Sequence, residues 1–160
     1  MHQGTTFGYS DFTPTEVRPP FYGQLLVAAA IGTSPRMQIK PVSLALWNLS
    51  IYAMYTESIL SKYVVINLEE WNETTPYDRP FRSFNLEVPS DVVSARVELL
   101  TGPGADSTSH ITWAGRSWDV PNGGLGTVVK NDTTVVNSRD GKVLVTVQST
   151  EAVIVTLIKE

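Results

Sequence analysis

The sequence predicts a mostly β protein, an antiparallel two-sheet β-sandwich with one N-terminal helix. Three observations carry that prediction. From about Val42 onward apolar residues recur with a period of two. Turn-forming residues interrupt the chain about every ten residues, the rhythm of short antiparallel strands and not of helices alternating with parallel strands. One stretch alone, RPPFYGQLLVAAAIG, has the length and punctuation of a helix.

Taken in order, residues 1–18 show no period. Pro19 and Pro20 suit a first helical turn, where no amide donor is needed, and Gly32 suits a left-handed stop. Between them Tyr22, Leu25, Leu26 and Ala29 share one face, Val27 and Ile31 share another, and only Gln24 is strongly polar. A helix that is apolar nearly all round needs cover on more than one side. That cover is the rest of the fold or something beyond it, and the expectation is a homo-oligomer formed through Pro20–Ile31.

The strands follow. YVVINLE sets Val64, Ile66 and Leu68 against Val65, Asn67 and Glu69, and SFNLEV sets Phe84, Leu86 and Val88 against Ser83, Asn85 and Glu87. SARVELL sets Ala95, Val97 and Leu99 against Arg96 and Glu98, and KVLVTVQ and AVIVTLI close the chain with β-branched runs. Turns are expected at Glu57-Ser58, Pro89-Ser90, Gly102-Pro103-Gly104, Asn122-Gly123-Gly124 and Asp140-Gly141, the last as a hairpin between TTVVN and KVLVTV.

At 160 residues without cysteine, the chain is large enough to bury a core without disulfides. A formal net charge of −4 and the lack of any run of like charges disfavour nucleic acid and anionic membrane as partners. No apolar stretch approaches the roughly 20 residues that span a bilayer, and no basic-then-apolar leader opens the sequence, which therefore reads as soluble. Sequons occur at Asn48, Asn72 and Asn131.

Chemistry is sparse. Glu69 and Glu70 are adjacent on an expected strand and point to opposite faces, so they cannot flank one glycosidic bond; Glu73, Asp78, Asp106 and Asp119 fall in expected loops. The two histidines, His2 and His110, have no metal-binding spacing, so no metal and no cofactor is expected. Ser109, His110 and Asp119 make a triad on paper, but no nucleophile elbow surrounds any serine.

The aromatic residues are more informative. Trp113 and Trp118 flank a tight turn at Ala114-Gly115, and LEEWNETTPYDRPF gathers Trp71, Tyr77 and Phe81 with Arg79, the candidate anion contact. Such side chains stack on sugar rings or plug the end of a sandwich core, and burial of at least one of Trp113 and Trp118 is the favoured reading. The candidate ligand-binding residues are Trp113, Trp118, Trp71, Tyr77 and Arg79.

VRPPFYGQLLVAAAIG, VVINLEEWN, RPFRSFNLEVP and above all VELLTGPGADSTSHITWAGRSWD followed by NGG resemble the C-terminal part of the fungal and bacterial β-glucuronidases of the heparanase-like glycoside hydrolase family 79. That resemblance implies a (β/α)₈ barrel carrying two catalytic glutamates, packed on a β-sandwich that the C-terminal region completes. On it, residues 1–36 are the last barrel strand, loop and helix, with Gln3, Gly4 and Tyr9 at a pocket rim and His2 in the strand; residues 37–160 are the sandwich. No position here corresponds to either catalytic glutamate, so the chain is expected not to be an enzyme. The functional expectation is a non-catalytic, lectin-like carbohydrate-binding protein; the alternative is an accessory C-terminal fragment that needs the missing barrel for hydrolysis.

Overall fold

The computed structural model describes residues 17–119 and 126–160; His2, Gln3, Gly4, Tyr9 and the Asn122-Gly123-Gly124 turn lie outside the described residues. Among the described residues the elements are one helix, α1 (Pro19–Ile31), and eleven strands: β1 (Met37–Val42), β2 (Leu49–Thr56), β3 (Ile59–Asn67), β4 (Phe81–Glu87), β5 (Val92–Thr101), β6 (Thr112–Trp113), β7 (Arg116–Ser117), β8 (Thr127–Val128), β9 (Thr133–Asn137), β10 (Lys142–Gln148) and β11 (Glu151–Lys159). The expected sandwich is present.

Its two sheets are unequal. The larger has the order β1-β2-β3-β11-β5-β6-β7-β8, with β9 also pairing along the first half of β5; the smaller is β10 against β4. All pairs are antiparallel. The small sheet closes one face of the large one over Ile51, Tyr63, Val65, Leu86, Val97, Val143, Val145, Val147, Val153 and Val155. Helix α1 closes the opposite face, where Tyr22, Leu26 and Ala30 meet Met54, Val64, Trp113, Ala152 and Ile154. The middle of the large sheet is therefore buried on both sides.

That layering explains the departures from a simple period of two. β4 and β10 alternate as expected, because one face meets the core and the other meets water. β3 and β11 are not half-buried: Val64 and Ile154 face the helix while Val65, Asn67, Val153 and Val155 face the small sheet. β3 also stops at Asn67, so Leu68, Glu69 and Glu70 lie past its end. The Asp140-Gly141 turn forms with both φ angles positive and is closed by reciprocal backbone hydrogen bonds between Arg139 and Lys142 (2.9 Å each), and beyond that bridge the chain passes from a strand of the large sheet to one of the small sheet.

The helix starts and stops where its punctuation predicts, one residue earlier at Pro19, and the Gly32 N–H reaches the Ala28 carbonyl at 2.8 Å with φ +62°. A second cap comes from the sheet. Lys62 Nζ donates to the carbonyls of Ala29 (2.8 Å) and Ala30 (3.2 Å), placing a cation on the negative end of the helix dipole.

Candidate functional site

Strand direction gathers the long connections at one end of the sandwich. The β1–β2 loop (43–48), the β3–β4 loop (68–80), the β5–β6 loop (102–111) and the β10–β11 turn (149–150) all leave from that end, and the other end carries shorter turns. Four of the sequence's candidate or chemical features, Trp71, Tyr77, Arg79 and the GPGADS string, lie here.

Arg79 ties this end together. Its Nε donates to Ser149 O (2.8 Å), Nη1 to Gly102 O (3.0 Å) and Nη2 to Thr150 Oγ1 (2.6 Å), and Nη1 stands 3.5 Å from Glu151 Oε1. The side chains of Arg79 and Glu151 retain 13% and 6% of their exposure. Glu151 is satisfied in turn by the Thr101 hydroxyl (2.5 Å) and the Gln148 N–H (3.1 Å). Burial holds the Arg79 guanidinium below its ordinary pKa and Glu151 works against that shift. The guanidinium thus joins three loops to one another, and it lies 5.3 Å from the Trp71 ring centroid.

The GPGADS string has the same role. Ala105 N–H donates to Trp71 O (2.9 Å) and Asp106 N–H to Asn72 Oδ1 (3.2 Å), and a Cβ on Gly104 would come within 2.9 Å of Asn72 Cα. Glycine lets the two longest loops touch backbone to backbone. Trp71 adds an indole N–H to Tyr77 O at 3.0 Å.

The other two tryptophans are set against the helix. Trp113 is buried in the helix-side core. Trp118 packs edge-on against Phe21 and Tyr22, and a Cβ on Gly126 would stand 2.6 Å from its indole ring, so only glycine fits there. The Tyr22 hydroxyl accepts from the backbone N–H of Trp118 (3.0 Å) and donates to Asp119 Oδ1 (3.2 Å), with Ser117 Oγ at 3.3 Å. Burial, chiefly, raises the Tyr22 phenol above its ordinary pKa. Of the aromatic candidates, Tyr77 is the one that stays exposed.

Ser109, His110 and Asp119 do come together, but with the wrong connections for a triad. Ser109 Oγ lies 3.0 Å from His110 Nδ1, while Asp119 accepts from the backbone N–H of His110 and not from its ring. Glu69 lies 3.6 Å from Arg82 Nε. Among the described residues no group of three His, Cys, Asp or Glu side chains is placed to hold a metal, and no helix is long and apolar enough to cross a membrane.

Sequence reasoning missed two features. Trp47, in the β1–β2 loop, is 93% exposed; its signal was a tryptophan among the apolar residues of SLALWN, outside any period. A groove of about 500 Å³ opens between the start of α1 and the end of the large sheet, lined by Pro19, Tyr22, Ile66, Leu68, Leu100 and Ile111 among others. It needs the helix and three strands at once, so no local pattern announces it.

The model of the glycosyl hydrolase family 79 C-terminal beta domain matches residues 51–154. The chain belongs to family 79. Its relatives include the β-glucuronidases of Aspergillus niger, 28% identical over 137 residues, and of Neurospora crassa, 25% identical over 163 residues. The family 79 chain is matched over 74% and 77% of its own length, but spans only 25% and 29% of theirs. The crystal structure of a 4-O-α-L-rhamnosyl-β-D-glucuronidase from Fusarium oxysporum superposes with a TM-score of 0.79 at 20% identity, covering 93% of this chain and 32% of that one, a likeness of fold. What is matched is the C-terminal β domain without the catalytic barrel.

Proposed function

We propose that this chain is the non-catalytic C-terminal β domain of a β-glucuronidase-like hydrolase, and that it supports a catalytic portion lying elsewhere in the protein. The observation that carries this reading is coverage: the chain aligns along about three quarters of itself with relatives of which it spans little more than a quarter. The internal use of Arg79, Trp113 and Trp118 agrees with it, since those groups hold loops and core together. The test is deletion of residues 17–160 from the complete gene product. Loss of soluble, active enzyme is the expected result; a truncated product with undiminished glucuronidase activity would refute the reading.

A lectin-like role is the second reading. Exposed Tyr77 and Trp47 and the 500 Å³ groove at the loop-bearing end favour it. Its test is titration of the chain with glucuronic acid and glucuronide oligosaccharides, followed through the four indole N–H resonances of the tryptophans. Saturable movement of the Trp47 or Trp71 signal supports sugar binding, and stationary signals at millimolar sugar count against it.

A further inference from the structure

The fold treats the three sequons differently. Asn48 is half-buried at the entry to β2, with Leu49 buried behind it and Ser50 paired with Ile66 inside the strand. Asn72 is half-buried at the joint of the two longest loops, where its Oδ1 accepts from the Asp106 N–H (3.2 Å). Asn131 is exposed, in the loop between β8 and β9.

The loop is built so that Asn131 faces solvent. On one side of it the N–H groups of Val129 (2.9 Å) and Lys130 (3.3 Å) both donate to the Gly115 carbonyl, in the turn between β6 and β7. On the other side the Asp132 carbonyl accepts from the Leu99 N–H (3.1 Å). The Asp132 carboxylate takes the Thr112 hydroxyl (2.8 Å) and stands 3.0 Å from Lys130 Nζ, and only 12% of that side chain is exposed. With the chain fastened inward before and after it, Asn131 is the residue left outside.

The asparagine and the threonine of this sequon are also held against each other. Thr133 N–H donates to Asn131 Oδ1 (3.3 Å), an Asx turn. Such a turn needs only the sequon itself, so it is available to an enzyme that acts before the fold is complete. The partner of Asn72 Oδ1, by contrast, is brought near by folding alone.

We propose that Asn131 is an N-glycan attachment site. The donor is an oligosaccharide carried on a polyprenyl pyrophosphate, and the acceptor is the side-chain amide of the sequon asparagine. Asn131 Nδ2 forms a bond to C1 of the first sugar, the bond from C1 to the pyrophosphate oxygen breaks with its electron pair leaving on the pyrophosphate, and Nδ2 gives up one proton. Nothing is oxidised or reduced. The position also gives the sugar a role. Among the described residues β9 pairs with β5 alone, and Val128, Val129 and Val135, close to Asn131 in the chain, are exposed. A hydrated glycan at the start of β9 screens an open strand edge and its apolar neighbours from other chains.

The test is made on the complete gene product, secreted from a eukaryotic host behind a cleavable leader. Removing its glycans with a peptide N-glycosidase in heavy-oxygen water leaves a labelled aspartate wherever an asparagine carried sugar. The Asn131 peptide should hold the largest labelled fraction of the three sequons. The N131D variant keeps the oxygen of the Asx turn and lacks the acceptor nitrogen, so it should lose the mass of one glycan and unfold in urea at the same midpoint as the deglycosylated parent. An unlabelled Asn131 peptide overturns the proposal, whether or not Asn48 and Asn72 are labelled, and so does a labelled fraction at Asn131 below that of either other site.

Discussion

Replacing Arg79 with methionine tests whether the loop-bearing end is held as described. The substitution keeps a long apolar stem but removes the donors to Ser149 O, Gly102 O and Thr150 Oγ1, and it leaves the buried Glu151 carboxylate without its cation. Breaking one side of a buried pair costs about 3–5 kcal/mol, mostly from the stranded charge. With a urea m-value of about 2 kcal/mol/M for a domain of this size, the unfolding midpoint should fall by roughly 1.5–2.5 M. Neutralising the partner should recover part of this. The R79M/E151Q double variant is expected to be more stable than the sum of the single effects by about 1–3 kcal/mol. R79K should restore little, because one ammonium cannot reproduce the three-way fork. A loss below about 1 kcal/mol for R79M, or strict additivity in the cycle, would refute the structural role assigned to Arg79.

Further expectations follow the same logic. G104A should cost about 1–3 kcal/mol in urea unfolding, since its Cβ would press on the backbone of Asn72 and Glu73 at 2.9–3.1 Å. W47F should remove most of the acrylamide-quenchable fluorescence, and W113F almost none, because the first side chain is exposed and the second is in the core. K62M should lose about 1–2 kcal/mol with the helix C-terminal contact. Burial, the leading cause, depresses the Lys62 pKa, so between that lowered value and the ordinary lysine range the unfolded chain binds more protons than the native one. The Lys62 contribution therefore grows as pH rises through that window, and the K62M deficit measured by urea unfolding should widen with it. Tyr22 and Tyr63, raised chiefly by burial, act in the opposite sense above the ordinary tyrosine range and should ionise late in a tyrosinate absorbance titration.

How much of this was legible in the sequence depended on whether a feature was local. Helix α1 was readable from its prolines and Gly32, and β4 and β10 from their alternation, because one side of each meets water. β3 and β11 misled a period-of-two reading, since covering both faces of the large sheet erases the alternation there. The Asp140-Gly141 turn was visible in two residues, whereas the fact that β9 and β10 join different sheets is a property of the whole topology. For the candidate site, residue types pointed to the right loops and to too simple a role. Trp113 and Trp118 are readable as aromatic, but only the folded positions of α1 and of Gly126 before β8 determine that Phe21, Tyr22 and Gly126 surround Trp118. Arg79 read as an anion contact because its partners Gly102, Ser149 and Glu151 are distant in sequence. The family resemblance rested on strings such as GPGADS and ITWAG, whose physical content is loop-to-loop contact at Gly104 and a tight turn at Ala114-Gly115.

The most direct test of the central claim is an assay of the purified 160-residue chain with an aryl β-D-glucuronide. A non-catalytic β domain gives no release of the aryl alcohol above the uncatalysed rate at any chain concentration. Saturable turnover that rises in proportion to the chain and co-elutes with it through successive columns would contradict the account.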